Sequence, residues 1–269
     1  MGADPSRRVT VSGVRIASWN VNSIRARAER VVAWLERADV DVLLMQETKV
    51  KDEAFPYLPF EAAGYEVAHH GVNQWNGVGI CSRVGLEDVE RSFAGQPEWK
   101  DHVEARAIGA TCAGIRLWSV YVPNGRTLDD PHYAYKLQWL AALREAAGAW
   151  AGDGSPVGLL GDWNVAPQDT DVWDIDVFDG ATHVSSAERE AFAAFESAGY
   201  REVTREHVPQ AYTYWDYQRL RFPKNEGMRI DFAWASEAFA DRVRGVRIDR
   251  DERKGKGPSD HVPVVLEVE

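Results

Sequence analysis

Five apolar runs in this chain each meet an acid or an amide, and that punctuation limits the possible folds more than any other feature. Val157-Gly158-Leu159-Leu160-Gly161 stops on Asp162-Trp163-Asn164. Val14 to Trp19 runs into Asn20-Val21-Asn22, and Val40 to Met45 into Gln46-Glu47-Thr48-Lys49. Asp231 stands inside the run Met228 to Trp234, and Asp260-His261 precedes Val262 to Leu266. Such runs read as buried strands, and the carboxyl ends of strands are where an α/β sheet places its chemistry; the run before Asp162 reads as a parallel one. Residues two apart on an extended segment point the same way, so Asp162 and Asn164 share a face. A carboxylate can take a proton or hold a cation, while an amide can bind a metal or orient a water. Singly, each is an ordinary turn residue or solvated loop acid. An acid inside an apolar strand must have a partner, however, and the set together has the ingredients of a hard-cation site.

Periodicity places helices between these runs. Ile24, Ala28, Val31, Val32 and Leu35 recur at helical spacing over 24–37, and Tyr135, Leu137, Trp139, Leu140 and Leu143 give a strong helix over 131–150, stopped by Gly152 to Pro156. A further helix is expected over 187–198. A helix-poor acidic loop holds Pro56 and Pro59. Strands are expected at 65–70, 77–82, 104–110 and 115–122, with short turns that point to antiparallel sheet. Others are expected at 212–217, 229–235 and 262–268. Periodicity alone gives α/β or α+β.

In order along the chain, Trp19-Asn20-Val21-Asn22, Gln46-Glu47-Thr48-Lys49, Tyr121-Val122-Pro123-Asn124-Gly125, Gly161-Asp162-Trp163-Asn164, Arg229-Ile230-Asp231 and Ser259-Asp260-His261 resemble the exonuclease III family of apurinic/apyrimidinic (AP) endonucleases, within the endonuclease/exonuclease/phosphatase superfamily. The resemblance spans roughly residues 14 to 269. Glu47, Asp162-Trp163-Asn164 and Asp260-His261 mark the superfamily; Gln46-Glu47-Thr48-Lys49 and Tyr212 to Tyr217 point to the DNA-repair branch. It implies a four-layered α/β sandwich, two facing mixed sheets flanked by helices, as one catalytic domain over 14–269. It also implies a Mg²⁺- or Mn²⁺-dependent phosphodiesterase. Such an enzyme nicks duplex DNA 5′ to abasic sites and removes nucleotides or blocking groups from 3′ ends.

By that resemblance Glu47 is the leading metal ligand, with Asn20 as second ligand or positioning group and Asp260 as an outer or alternative ligand. Asp162 orients or deprotonates the attacking water, and Asn164 helps hold the phosphate and that water. Asp231 and His261 look like an acid–imidazole pair in which the acid fixes the tautomer and favours the imidazolium. Tyr121 donates to the phosphate or, with a lowered pKa, stabilises the leaving group. Either Asp162 or His261 could be the base, with one metal ion or two. Tyr214, Met228 and Ile230 match an apolar pocket for a flipped-out, base-free sugar; the bland reading of all three is core. Asn22, Asn124 and Arg126 complete the substrate-facing set. Trp75 and Asn76 replace a more usual aromatic in the loop Gly71 to Gly77.

Charge runs against a nucleic-acid partner. Of 269 residues, 31 are Lys or Arg and 42 Asp or Glu, a net charge of −11 that repels a phosphate backbone on average. A carboxylate metal site accounts for part of this. The basic residues also cluster, at Arg25, Arg27 and Arg30, at Arg219, Arg221, Lys224 and Arg229, and at Arg253, Lys254 and Lys256, each beside a candidate loop or on a solvated face. Two cysteines, Cys81 and Cys112, are too few for a disulfide framework and point to a reducing cytosol, where the enzyme would meet the nucleoid. The opening residues lack the apolar core of a signal peptide, and residues 1–13 read as a disordered tail. No membrane partner is expected, and a monomer is. Two other readings stand beside the main one: a phosphodiesterase of the same superfamily acting on RNA or phospholipid, and a catalytically silent DNA-binding module.

Overall fold

A computed structural model describes residues 13–269; the tail expected over 1–13 lies outside the described residues, apart from Gly13. The chain lays down β1 (Val14–Asn20), β2 (Val42–Gln46), β3 (Glu66–His70) and β4 (Val78–Ser82) in one sheet. It crosses to a second sheet for β5 (Glu87–Arg91), β6 (Ala107–Cys112), β7 (Ile115–Tyr121), β8 (Val157–Asp162), β9 (Tyr200–Glu202) and β10 (Asp231–Ser236). It then returns to the first for β11 (Val243–Ile248) and β12 (Val264–Val268). The orders are β11-β12-β1-β2-β4-β3 and β5-β6-β7-β8-β10-β9. Each sheet is mixed, with one parallel pair near its centre: β1 with β2, and β7 with β8. The helices that cross over these pairs are α1 (Ile24–Ala38) and α3 (Pro131–Ala151), and α2 (Tyr57–Ala62) and α4 (Ser186–Ala193) lie on the same outer faces.

Alternation along the strands builds the four layers. Ile16, Val42, Leu44, Leu117, Leu160, Ala233 and Leu266 point inward to the core between the sheets. Their neighbours Ala17, Leu43, Met45 and Val265 face α1, and Trp118, Leu159, Phe232 and Trp234 face α3 and α4. The expected sandwich is therefore the observed one. Most of the tryptophans pack on these outer faces, and Trp19, Trp34, Trp118, Trp139, Trp163 and Trp234 are all buried. Helix ends follow local chemistry: the Asp130 side chain accepts from the His132 N–H at the start of α3, with Pro131 in its first position.

Several expectations are corrected. The segment 212–217 is not a strand; only Tyr214 bridges, to Met228 and to His261, because the segment threads between strand ends. The proline-bearing loop contains α2, since Pro59 sits in its first turn, where an N–H has no intrahelical partner. Strand β5 has every residue exposed and so no hydrophobic signal. The helix expected over 187–198 ends at Ala193, and a separate short turn covers Glu196–Ala198. Strand β8 is parallel to β7 alone and antiparallel to β10. The antiparallel strands of the first half divide between sheets, β3–β4 in one and β5–β6–β7 in the other. Cys81 and Cys112 are free and buried. Among the described residues no helix is long and apolar enough to cross a membrane.

Buried histidines carry a pH signature. Burial pushes His69 down to about 4, against the pull of Asp52, whose Oδ1 lies 2.8 Å from its Nδ1. Burial likewise pushes His132 down to about 4. The folded chain keeps both rings neutral, whereas an unfolded chain takes up their protons near 6.5. Their contribution to stability is thus fully present above 6.5 and is lost as pH falls from there toward 4. An NMR titration of the imidazoles should show His69 and His132 unprotonated at pH 5.5; titration of either near 6.5 would contradict this.

Candidate active site

The two parallel pairs end at the same place, and their last residues face one another across the sheets. Asn20 and Glu47 come from the ends of β1 and β2, Tyr121 and Asp162 from the ends of β7 and β8. Asp231 opens β10 directly opposite Asp162 in register. His261 arrives on the loop before β12, whose backbone is held by Trp19 Nε1 donating to the His261 carbonyl at 3.1 Å. Ser259 Oγ donates to the Asn20 carbonyl at 2.7 Å and fixes the same loop to β1.

One amide organises the acids. Asn20 Nδ2 donates to Glu47 Oε1 at 2.8 Å and to Asp162 Oδ2 at 3.0 Å, while its Oδ1 accepts the Asn22 N–H at 3.1 Å. Asn20 therefore meets the carboxylates with its nitrogen, as a positioning group; its oxygen is already engaged. Glu47, Asp162 and His261 each bring one ligand atom to within 4.8 Å of the others. Asp260, expected as an outer or alternative ligand, is not in that set; its Oδ1 accepts from Asn22 Nδ2 at 3.0 Å. The oxygen-rich side of the cluster suits a hard divalent cation held by Glu47 and Asp162.

His261 is braced from behind. Its Nδ1 lies 2.9 Å from Asp231 Oδ2, which also accepts from Thr213 Oγ1 at 2.6 Å. Its Nε2 lies 3.7 Å from Asp162 Oδ2. Burial alone would strip the imidazole of its proton, but the Asp231 and Asp162 carboxylates raise it to about 10. Burial pushes Asp162 up to about 7, opposed by His261 and reinforced by Asp231 and Glu47. Burial also works to raise Glu47, yet Lys49, 2.7 Å away, holds it below the usual carboxylate range. Burial and the Glu47 charge push the Tyr121 phenol well above its ordinary value. The phenol is therefore un-ionised here and offers a hydrogen-bond donor.

On the far side of Asp162 a cluster of amides forms. Asn164 donates its backbone N–H to Asp162 Oδ1 at 2.9 Å and its Nδ2 to the Val122 carbonyl at 2.9 Å. Asn164 Oδ1 accepts from Asn124 Nδ2 at 3.2 Å and lies 3.1 Å from His183 Nε2. Arg126 points away from this group, 3.5 Å from Asp130 and over the Trp99 ring. A cleft of about 940 Å³ opens beside Tyr121, lined by Trp75, Asn76, Arg106, Asn124 and Arg126 among others. Of the expected sugar pocket, Tyr214 and Met228 are partly exposed, whereas Ile230 is 2% exposed and packs on Ala166 and Val172. Ile230 is thus core, since its side chain closes the layer beneath the other two.

Sequence reading missed Lys49, Thr213 and His183 as members of the site, although Lys49 lies within a quoted motif. It also misplaced much of the basic charge. Arg27 donates to the carbonyls of Asn22 and Pro258, Arg30 to those of Glu252 and Lys254, and Arg253 to that of Trp215. Arg229 is fully buried and donates to Val208 and Thr204. These guanidinium groups stitch loops together rather than forming an open basic face.

A catalytic sandwich with paired acids, an acid-braced imidazole and amide donors at one sheet edge defines a class of phosphoester hydrolase. Residues 17–261 match the endonuclease/exonuclease/phosphatase family, and the chain belongs to it. Exodeoxyribonuclease III of Haemophilus influenzae is 29% identical over 94% of this chain and 99% of its own length. The 3′ phosphatase NExo from Neisseria, solved with a product DNA hairpin, superposes with a TM-score of 0.91 at 35% identity, covering 95% of this chain and 99% of its own. An AP endonuclease from Archaeoglobus fulgidus superposes with a TM-score of 0.89 at 36% identity, over 95% of this chain and 99% of its own.

The brace on His261 can be tested without any substrate. Asp231→Asn should bring its imidazole titration down from about 10 toward neutrality, read by NMR. An unchanged titration would assign the proton to Asp162 alone.

Proposed function

We propose that the chain is a metal-dependent DNA-repair nuclease of exonuclease III type. It would cleave the backbone 5′ to abasic sites and clear nucleotides or blocking groups from 3′ ends of duplex DNA. The observation that carries this is the convergence of Glu47, Asp162 and the Asp231-braced His261 within 4.8 Å, beside a cleft lined by Tyr121 and Asn124. Phosphodiester hydrolysis needs an oriented water, donors for the growing negative charge and stabilisation of the leaving oxygen.

Each need has a candidate in place. Asp162 is fixed by the Asn20 side-chain amide at Oδ2 and by the Asn164 N–H at Oδ1, and each oxygen keeps a lone pair that could meet a water. His261, kept charged by Asp231, stabilises the phosphate; Asn164, Asn124 and the un-ionised Tyr121 supply neutral donors. Glu47 and Asp162 would hold Mg²⁺ or Mn²⁺, which supplies Lewis-acid stabilisation of the phosphoryl oxygens when bound. Tyr214, whose ring lies 4.9 Å from that of His261, and Met228 would contact the sugar. Asn22 orients Asp260 and Lys49 around the same edge.

End-labelled duplexes carrying an internal abasic analogue or a 3′-phosphate should be processed in Mg²⁺ and left intact in EDTA, and an undamaged duplex should be trimmed only from its 3′ end. Inactivity on all three, with RNA or a phospholipid hydrolysed instead, would overturn the reading. Asp162→Asn should cut turnover by about three orders of magnitude with duplex affinity in EDTA retained. Glu47→Gln should raise the Mg²⁺ concentration needed for half-maximal rate; an unchanged midpoint would remove it from the ligand set. Met228→Ala should slow abasic incision more than 3′-end trimming.

A further inference from the structure

We propose that the buried Lys136–Glu188 ion pair is a positioning device that sets where Asn124 and Asn164 stand relative to Asp162, and so controls turnover without touching substrate. The inference rests on the nuclease reading above. Both side chains are 0% exposed, and neither belongs to the cluster around Glu47.

A buried ion pair is a poor source of stability, because desolvation offsets the attraction and an apolar pair of similar size often does as well. The bonding here gives the pair another use. An ammonium offers three N–H donors. Lys136 Nζ, on α3, directs them to Glu188 Oε1, to the Asn164 carbonyl at 2.6 Å and to the Asn124 carbonyl at 3.3 Å. Glu188, in the first turn of α4, accepts at Oε1 from Thr182 Oγ1 at 2.6 Å and from the His183 N–H at 2.9 Å. Its Oε2 accepts from Ser185 Oγ at 2.6 Å and from the Ser185 N–H at 3.2 Å, and the Glu188 N–H returns to Ser185 Oγ, a capping box on α4. Burial works to raise Glu188, and the Lys136 charge with these donors keeps it below the ordinary carboxylate range.

Three separate loops are thereby joined from below, after β7, after β8 and before α4. From above, the side chains of Asn124, Asn164 and His183 join the same three loops within 3.3 Å. Two backbone features show how tightly the lower junction is drawn. Asn164 is held at a φ of 49°, in the left-handed region, with its carbonyl on Lys136. Gly125 has a φ of 91°, and a Cβ there would lie 2.6 Å from Thr182 Oγ1, whose oxygen also lies 3.1 Å from the Asn124 carbonyl. Since the Asn164 N–H bonds Asp162 Oδ1, displacement of this junction is passed directly to the carboxylate.

The test compares wild type with Thr182→Val and with Lys136→Met/Glu188→Gln, which removes both charges together. Kinetics would use the abasic and 3′-phosphate duplexes, with thermal melting and hydrogen exchange beside them. The double variant should fold, lose at least tenfold in kcat, change KM by less than threefold and keep its Mg²⁺ midpoint. Thr182→Val should show the same pattern at about threefold in kcat. Wild-type kcat in either folded variant, or a moved Mg²⁺ midpoint with kcat retained, would overturn the proposal. If the double variant does not fold, Thr182→Val decides alone. Hydrogen exchange separates this failure from failure of the nuclease reading. Amides over 124–126 and 164–166 should exchange at least tenfold faster in Thr182→Val, with β1 and β2 unchanged, whatever substrate the enzyme takes. Unaltered exchange there would overturn the junction.

Discussion

The Asn20 amide is the contact on which the site's geometry depends. Two carboxylates, one at the end of each sheet, converge where like charges repel, and a single Nδ2 donates to both. The backbone ladders do not cross between the sheets; apolar packing of residues such as Leu44, Leu117 and Leu160 joins them, and packing is not directional. Direction comes from polar contacts at the shared edge. Gln46 Nε2 donates to Ser119 Oγ at 2.9 Å, which itself donates to the Met45 carbonyl, one step below the Asn20 bridge. These buried contacts fix how the end of β2 sits over the ends of β7 and β8, and hence how far Glu47 lies from Asp162.

Electrostatics at that edge follow from the same arrangement. Burial disfavours every charge, so each ionised group persists only with a partner. Glu47 has Lys49, and His261 has Asp231 and Asp162. Glu47 is held low by Lys49, whereas burial lifts Asp162 to about 7 despite His261. A carboxylate so placed has much to gain from an arriving cation or from a water that donates to it.

Much of this was legible from sequence, and the remainder was hidden for physical reasons. The apolar runs ending in Asn20, Glu47 and Asp162 were readable because a strand buried on both faces has a continuous signal and its polar end breaks it. Helices α1 and α3 were readable because long amphipathic periodicity is strong evidence. Strand β5 was not, since an exposed charged edge strand has the composition of a loop. The expected strand at 212–217 failed because its aromatics serve different neighbours: Trp215 is core, while Tyr214 faces His261. His183 and the Lys136–Glu188 pair gave no signal, since their partners, side chains and carbonyls alike, lie mostly in segments distant along the chain. The arginine clusters misled for a related reason: a guanidinium beside a loop can serve that loop's carbonyls as readily as a phosphate.

The division of the candidate metal site between sheets has a mechanical side. Glu47 follows β2 of the first sheet and Asp162 ends β8 of the second. An ion bound there would add a second clasp across a seam that the Asn20 and Gln46 contacts already hold. Ligand binding to the folded state alone stabilises it by mass action, and here that gain would fall on the relative motion of the sheets. The enzyme's rigidity would thus be greatest when it is charged for catalysis, and the cofactor-free protein would be the looser, more easily sheared form.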